Sequence, residues 1–161
     1  MDPQYKPIGA IPSKIFLTPK KLPNGEIDKI KGRVVAGGHR QDRSLFHDKE
    51  VSSPTVALTS VLAMASLAAH KGHHVMTLDH KAAYLNAIML GSRVEMMLTP
   101  EVAEIMCRLD PTYRQYVRTD KKITVRLKKA LYGCIQSAVL WYNELASTLD
   151  SMGFEKNPYD I

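Results

Sequence analysis

Residues 77–86 read TLDHKAAYLN, and the interpretation of the whole sequence depends on them. The apolar run at residues 75–78 predicts a short strand, and the residues that follow Asp79 predict a helix ending near Met89. A carboxylate at the end of a strand lies where a sheet opens to solvent, so it can bind Mg²⁺ together with substrate phosphates. Tyr84, about one and a half helical turns further on, would form one wall of a pocket above this carboxylate. Alternatively, the aspartate only caps the helix that follows it.

The composition is that of one domain with a hydrophobic core, since 45% of the 161 residues are apolar. The net charge of +6 is compatible with a polyanionic partner. The cysteines, Cys107 and Cys134, form no Cys-x-x-Cys pair, so we expect neither a disulfide framework nor a cysteine-rich zinc site, and free thiols suit a reducing, intracellular compartment. The longest apolar stretch, residues 56–69, is interrupted by polar residues and is shorter than the ~20 residues of a membrane span. We therefore expect no membrane partner.

The N-terminal third is predicted to form a β-hairpin. A strand over residues 11–18 is followed by Asn24-Gly25, a pair that tolerates positive φ and favours a hairpin turn. The returning strand, residues 27–36, alternates between two faces. One of these faces carries three successive cations: Lys29, Lys31 and Arg33. Such a face suits phosphate binding, but it is equally typical of an edge strand that charge protects from aggregation.

Between this hairpin and residue 79 the sequence predicts a loop and a helix. Gly37-Gly38 ends the second strand and lacks the Gly-Lys-Ser/Thr ending of a phosphate-binding loop. Residues 39–51 are polar and are predicted to form a mobile loop. Ser52-Ser53-Pro54 carries the signals of a helix start, a Ser at the N-cap and a Pro in the first turn. This helix is predicted to stop at Gly72, with its Ala and Met residues packed in the core.

The second half of the sequence mixes further strands and helices. The predicted elements are a strand at residues 93–98, a helix at 101–108, a turn at 110–111, a strand at 122–128 and a helix at 137–152. In the last helix, Trp141, Leu145 and Leu149 share one stripe, which is expected to face the core. Because strands and helices alternate without a regular βαβα order, the predicted fold class is α+β.

Four features suit metal-assisted phosphoryl transfer on a nucleotide: a carboxylate at a strand end, an aromatic residue near it, a tight Tyr-Gly turn before a helix, and basic strands. The sequence that carries them resembles the reverse transcriptase of copia-type retrotransposons over residues 11–161. The resemblance rests on the order and spacing of four blocks: residues 11–14 with 31–38, 52–55, 78–86, and 127–133 with 141–142. The family usually has Asn and Phe where this sequence has Ala82 and Tyr84, and Ala-Pro where it has Ser137-Ala138.

The resemblance implies a fold and an activity. Residues 1–10 would form an N-terminal arm, and residues 11–161 the fingers and an incomplete palm, built from mixed and antiparallel strands with packed helices. The implied activity is that of an RNA-directed DNA polymerase, which adds a dNTP to a primer 3′ end on a template with the help of two Mg²⁺ ions. The implied partners are an RNA or DNA template–primer, the dNTP, and the thumb and ribonuclease H regions of a Pol polyprotein, in cytoplasmic particles.

The resemblance also assigns roles to individual residues. Asp79 would be the catalytic carboxylate that binds the Mg²⁺ ions, and Tyr84 would lie under the deoxyribose and exclude a 2′-hydroxyl group. The triphosphate would be contacted by Lys31 and Arg33, with no preference between them. The nucleotide pocket would be lined by Tyr132 and Gly133. The nucleic-acid backbone would be contacted by Arg126, Lys128 and Lys129, for which a solvated strand face is the alternative.

One expected part of the family pattern is not in the sequence. The second catalytic motif, two adjacent aspartates after Tyr-x, should follow residue 161, and Tyr159-Asp160 supplies only one carboxylate. We therefore expect a fragment, a truncated product or a decayed copy that does not polymerise by itself. The alternatives are a non-catalytic nucleic-acid-binding remnant and an inert product of a dead element.

Overall fold

The structure, a computed structural model, describes residues 9–89 and 94–158. Its strands and helices are β1 (Ile11–Lys21), β2 (Ile27–Ala36), α1 (Leu58–Lys71), β3 (Glu95–Leu98), α2 (Pro100–Leu109), β4 (Ile123–Arg126) and α3 (Ser137–Ser151). The strands form one four-stranded sheet in the order β2-β1-β3-β4. β1 runs parallel to β3, and the other neighbours are antiparallel. The mixture of strands and helices agrees with the expected fold class.

The predicted hairpin is present and longer than expected. Gly25 takes a φ of +87° in the turn, a conformation that costs glycine nothing because it has no Cβ. Directly opposed residues of an antiparallel pair share a face, and the register therefore places more cations beside those of β2. We call this set the cationic face: Lys14, Lys20, Lys29, Lys31 and Arg33. The central part of the opposite face is apolar, and most of the hairpin is exposed on both sides.

The core lies where the base of β1 meets β3, β4 and α2. Ile11 pairs with Met96, and Ile123 pairs with Leu98, so apolar side chains of three strands meet. α2 covers them with the side chains that its helical spacing places on one face: Val102, Ala103 and Cys107. A fully buried Ile contributes about 1.5–3 kcal/mol relative to an exposed one, so this small cluster supplies much of the stability of the sheet.

The helix predicted from residue 52 begins later, at Leu58. The β-branched Thr55 and Val56 are poor helix formers and remain outside it. Gly72 ends the helix in the left-handed conformation, as predicted. The prediction that its apolar residues pack in the core is wrong, because none of the residues of α1 is buried. Helical periodicity indicates which residues can share a face, but it does not indicate whether another element covers that face.

The strand predicted at residues 75–78 is also absent; these residues are irregular and exposed. A strand needs hydrogen-bonded neighbours, and no segment of the described residues pairs with this one. The helix predicted to reach Met89 is a single 3-10 turn, Ala83–Asn86. The backbone of Ala82 precedes it with a φ of 53°, which interrupts a helical path, and Ile88 then pairs with Lys129 as an isolated bridge.

The other elements lie close to their predicted positions. α2, β4 and α3 overlap the predicted helix, strand and helix, and α3 ends just before Gly153. The stripe of Trp141, Leu145 and Leu149 is only half-buried. The loop predicted to be mobile at residues 39–51 is folded into three short 3-10 turns. Each of these turns is closed by local backbone hydrogen bonds.

Some expectations fall outside the described residues. They concern most of the arm at residues 1–10, the start of the strand predicted at Arg93, and Tyr159-Asp160. Among the helices of the described ranges, none is both long enough and apolar enough to cross a membrane.

Candidate functional site

A cleft of about 840 Å³ separates the hairpin from the segments around residues 82–85 and 131–132. We call it the hairpin cleft. It is lined by Phe16, Thr18, Lys31, Gly32, Arg33, Val34, Val35, Ala82, Leu85, Leu131 and Tyr132. These residues come from three parts of the chain that are far apart in sequence. Its size is within the range of pockets that hold small ligands, about 300–1,000 Å³.

The two predicted triphosphate ligands, Lys31 and Arg33, form one wall of the hairpin cleft. Both side chains are exposed, so their charged groups remain hydrated and available. Across the hairpin, Lys31 lies opposite Thr18 and Arg33 lies opposite Phe16. Two cations on one wall raise the local concentration of an anionic ligand by long-range attraction. This wall is therefore suited to a polyphosphate.

Two aromatic residues predicted for the nucleotide pocket lie against each other. The ring centroids of Tyr84 and Tyr132 are 4.5 Å apart, with the rings tilted by 48°. Tyr132 lines the cleft, and Tyr84 is half-buried in the 3-10 turn beside it. Contacting aromatic pairs are worth about 0.5–1.5 kcal/mol beyond the area that they bury. The pair thus joins the segment after Asp79 to the segment after β4.

The Tyr132-Gly133 pair, here called the Tyr-Gly turn, is fixed against the end of β2. Ala36 donates its backbone N–H to the carbonyl oxygen of Tyr132 at 2.8 Å. Gly133 has a φ of +93°, and a Cβ on it would lie 2.0 Å from the carbonyl oxygen of Ala36. A Cβ on Gly38 would lie 1.9 Å from the carbonyl oxygen of Gly133. Only glycines allow this approach of the two backbones, so Gly133 holds the neighbouring Tyr132 against the end of β2, although Gly133 itself does not line the cleft.

Asp79 is exposed and is not among the residues that line the hairpin cleft. Three residues of chain reach at most about 11 Å, so its Cα lies within that distance of Ala82, which does line the cleft. Its neighbour is anchored, since the His80 ring lies 4.7 Å from the Trp141 ring on α3. The Asn86 side chain donates to the carbonyl oxygen of Ala82 at 3.3 Å and closes the loop.

Within the described ranges, no three His, Cys, Asp or Glu residues cluster closely enough to hold a metal ion. A lone exposed carboxylate suits Mg²⁺, because that ion is commonly held by one or two carboxylates and by substrate phosphates. The donor set of Asp79 therefore fits Mg²⁺ only when the ion arrives with a phosphate ligand.

The residues predicted to contact a nucleic-acid backbone lie outside the cleft. Arg126, Lys128 and Lys129 are exposed, and none of them is among its lining residues. The backbone of Lys128 accepts a hydrogen bond from Met89, which ties this strand end to the segment after the 3-10 turn. Thr124, on the face predicted to be polar, is buried, whereas Arg126 and Lys128 on the same face are exposed.

Two glutamines near the cleft have no counterpart in the sequence predictions. Gln41 donates from Nε2 to Oε1 of Gln136 at 3.0 Å, and its own Oε1 accepts from the backbone of Ile135 at 2.9 Å. These partners are separated from Gln41 by 95 and 94 residues. A polar side chain in a polar loop gives no signal of such a contact, so the sequence alone did not single out either glutamine.

Comparison with known proteins identifies relatives for almost the whole chain. A family model described as reverse transcriptase (RNA-dependent DNA polymerase) matches residues 4–161. The retrovirus-related Pol polyprotein from transposon RE2 of Arabidopsis thaliana is 28% identical over 86% of this chain and 8% of its own length. The polyprotein from transposon RE1 of the same plant is 29% identical over 90% of this chain and 9% of its own length.

A third relative is the retrovirus-related Pol polyprotein from transposon TNT 1-94 of Nicotiana tabacum, which is 29% identical over 88% of this chain and 10% of its own length. This chain therefore spans a tenth or less of the length of these three curated relatives. No solved structure gives a significant match.

Proposed function

Because this chain belongs to the reverse transcriptase (RNA-dependent DNA polymerase) family, we propose that its hairpin cleft binds the incoming dNTP of an RNA-directed DNA polymerase. The observation that carries the proposal is the meeting of Lys31 and Arg33 with Tyr132 around one cleft. In this proposal the β1–β2 hairpin belongs to the fingers, and β3, β4 and α3 belong to the palm. The reaction of the intact polymerase is the templated addition of a dNTP to a primer 3′ end.

Each wall of the hairpin cleft has its own role in this proposal. Lys31 and Arg33 bind the triphosphate, since charge-assisted hydrogen bonds to phosphate are about twice as strong as neutral ones. Tyr132 lines the pocket beside the base. The ring of Tyr84, held against Tyr132, lies under the sugar, where an aromatic ring leaves no space for a 2′-hydroxyl group. The cleft therefore selects dNTPs over NTPs.

Asp79 would hold a Mg²⁺ ion together with phosphates of the nucleotide. When bound, the ion neutralises charge on the phosphates and acts as a Lewis acid for phosphoryl transfer. The exposed position of Asp79 keeps its carboxylate available to such an ion. The contact between His80 and Trp141 limits the positions that the adjacent carboxylate can take.

A second function, sequence-independent nucleic-acid binding, is supported by the charge distribution. The cationic face of the hairpin gathers five basic side chains, while Arg126, Lys128 and Lys129 are exposed elsewhere. Such cations bind phosphates and release counterions. In this proposal the chain binds the template–primer and works with the thumb and ribonuclease H regions of a Pol polyprotein. A remnant without catalytic activity would retain this binding alone.

Nucleotide binding by the purified chain tests the first function. We expect Mg²⁺-dependent binding of a dNTP in isothermal titration calorimetry, and Lys31→Ala or Arg33→Ala should weaken it about tenfold or more. Lys29→Ala is the matched control, because Lys29 is on the same face but does not line the cleft. Equal losses for Lys29→Ala and Lys31→Ala would contradict the assignment of the cleft.

The same titration tests the metal-binding role. Asp79→Asn should remove the dependence of dNTP affinity on Mg²⁺ without lowering the free energy of unfolding, because the exposed carboxylate packs against no core residue. Loss of stability in this variant would instead indicate that Asp79 caps the turn that follows it.

Salt dependence tests the second function. The affinity of the chain for a primed RNA template should fall as the salt concentration rises, and an affinity that does not change with salt would exclude nucleic-acid binding through phosphate contacts.

A further inference from the structure

Gln41 joins two parts of the chain that form opposite sides of the hairpin cleft. It follows the end of β2, and its half-buried side chain reaches the start of α3. Its Oε1 accepts the backbone N–H of Ile135 at 2.9 Å, and its Nε2 donates to Oε1 of Gln136 at 3.0 Å. Both partners follow the Tyr-Gly turn within three residues. A single side chain thus makes two bonds to the segment that carries Tyr132.

The partner of Gln41 is itself fixed in place. Gln136 is only 5% exposed, and its Nε2 donates to Sδ of Met89 at 3.2 Å. A buried amide without a hydrogen-bond partner costs about 1–3 kcal/mol, so the buried Gln136 amide strongly favours its hydrogen bond with Gln41. Three segments meet here: the loop after β2, the segment after the 3-10 turn at Ala83–Asn86, and the start of α3.

This link acts together with the backbone contact at the end of β2. There, Ala36 donates to the carbonyl oxygen of Tyr132 at 2.8 Å. The base of the hairpin is also held by the pairing of Ile11 and Pro12 with β3. The Gln41 amide adds a side-chain attachment a few residues further along both segments, and this attachment limits how far the end of β2 can move relative to the Tyr-Gly turn.

We infer that Gln41 is a positioning residue, which fixes the distance between the cationic face of the hairpin and Tyr132 and thereby sets the affinity of the hairpin cleft for a nucleotide. The effect on affinity rests on the proposed function, while the effect on distance does not. Gln41 itself is not among the residues that line the cleft. Its influence is therefore separable from direct ligand contact.

The distance can be measured without any nucleotide. Spin labels at Lys20→Cys, on the hairpin, and Asn143→Cys, on α3, both replace exposed side chains, whereas Cys107 and Cys134 are buried. We expect a narrow distance distribution in the parent chain and a broad one in Gln41→Met. Gln41→Glu keeps the acceptor for Ile135 and loses the donor to Gln136, so its distribution should be intermediate.

A matched control is Gln115→Met, because the exposed Gln115 makes one local hydrogen bond, to the carbonyl oxygen of Thr112 at 3.0 Å. Its distance distribution should equal that of the parent. An unchanged distribution in Gln41→Met would overturn the inference. Equal broadening in Gln115→Met would also overturn it, since the effect would then be general loosening of the chain.

The affinity of the same variants for Mg²⁺·dNTP completes the test. Gln41→Met should bind about tenfold more weakly, Gln41→Glu should recover part of the loss, and Gln115→Met should match the parent. If the parent binds no dNTP while Gln41→Met still broadens the distances, the proposed function fails and the positional role of Gln41 stands. If distances broaden while affinity is unchanged, the link to nucleotide binding is wrong.

Discussion

The Tyr-Gly turn and the segment around Asp79 both adjoin the hairpin cleft, but they are held in opposite ways. The turn is clamped by backbone contacts, because neither Gly133 nor Gly38 has space for a Cβ. Asp79 is exposed, and its segment is anchored through neighbouring side chains, His80 on Trp141 and Tyr84 on Tyr132. Backbone contacts therefore hold the Tyr132 wall of the cleft, whereas Asp79, the proposed metal ligand, is held only through the side chains of its neighbours.

A second contrast separates the core from α1. β3, β4 and α2 bury a compact apolar cluster, while α1 leaves large apolar side chains in solvent, such as Leu58 at 72% exposure. A helix that is apolar on several sides and exposed contributes little to stability by burial. Stability should therefore be concentrated at the base of the hairpin and on α2, and substitutions can test this distribution.

The largest effect is expected at the clamped turn. Gly133→Ala places a Cβ 2.0 Å from the carbonyl oxygen of Ala36, so the backbone must move, and the free energy of unfolding should fall by more than about 4 kcal/mol. Gly153→Ala is the control, because Gly153 has a similar φ of +87° but nothing within 4 Å of an added Cβ. Gly153→Ala should lower the free energy of unfolding by only about 1–2 kcal/mol. Urea denaturation provides both values, and equal losses would show that the turn is not clamped.

The next effect concerns the core. Ile123 is 1% exposed, and Ile123→Ala should lower the free energy of unfolding by about 3 kcal/mol, since it removes buried methyl groups and leaves a cavity. Ile30→Ala is a matched change at a position that is 65% exposed, and it should change stability by less than about 0.5 kcal/mol. Chemical denaturation again measures both. A comparable loss at Ile30 would mean that the hairpin is covered in solution.

The smallest effect is a pH dependence beside the turn. Burial raises the pKa of the Cys134 thiol to about 11, although hydrogen bonds from Ser137 and Leu131 partly oppose this. The unfolded thiol loses its proton near pH 9.0 while the folded one keeps it, so stability should fall as pH rises from there towards about 11. The decrease should be on the order of 1 kcal/mol, and Cys134→Ala should lack it. Identical pH profiles would show that solvent reaches the thiol.

Local patterns predicted the elements that local forces stabilise. The Asn24-Gly25 turn, the alternation of β2 and the spacing of α3 each depend on residues close together in sequence, and all three elements are present. The family assignment, which rested on the order of four sequence blocks, was confirmed by the match over residues 4–161. The predictions of a strand at residues 75–78 and of a buried α1 were wrong. A strand needs a hydrogen-bonded neighbour and a buried helix needs a packing partner, and an apolar run in the sequence supplies neither.

The sequence by itself determined the hairpin, its cations and the family to which the chain belongs, because turn chemistry, alternation and motif order are properties of neighbouring residues. Only the tertiary structure decided that Lys31 and Arg33 share a cleft with Tyr132, that Tyr84 packs on Tyr132, and that Gln41 reaches Gln136 across 95 residues. Contacts at such separations depend on how the sheet and α3 pack, and no local period in the sequence encodes that packing.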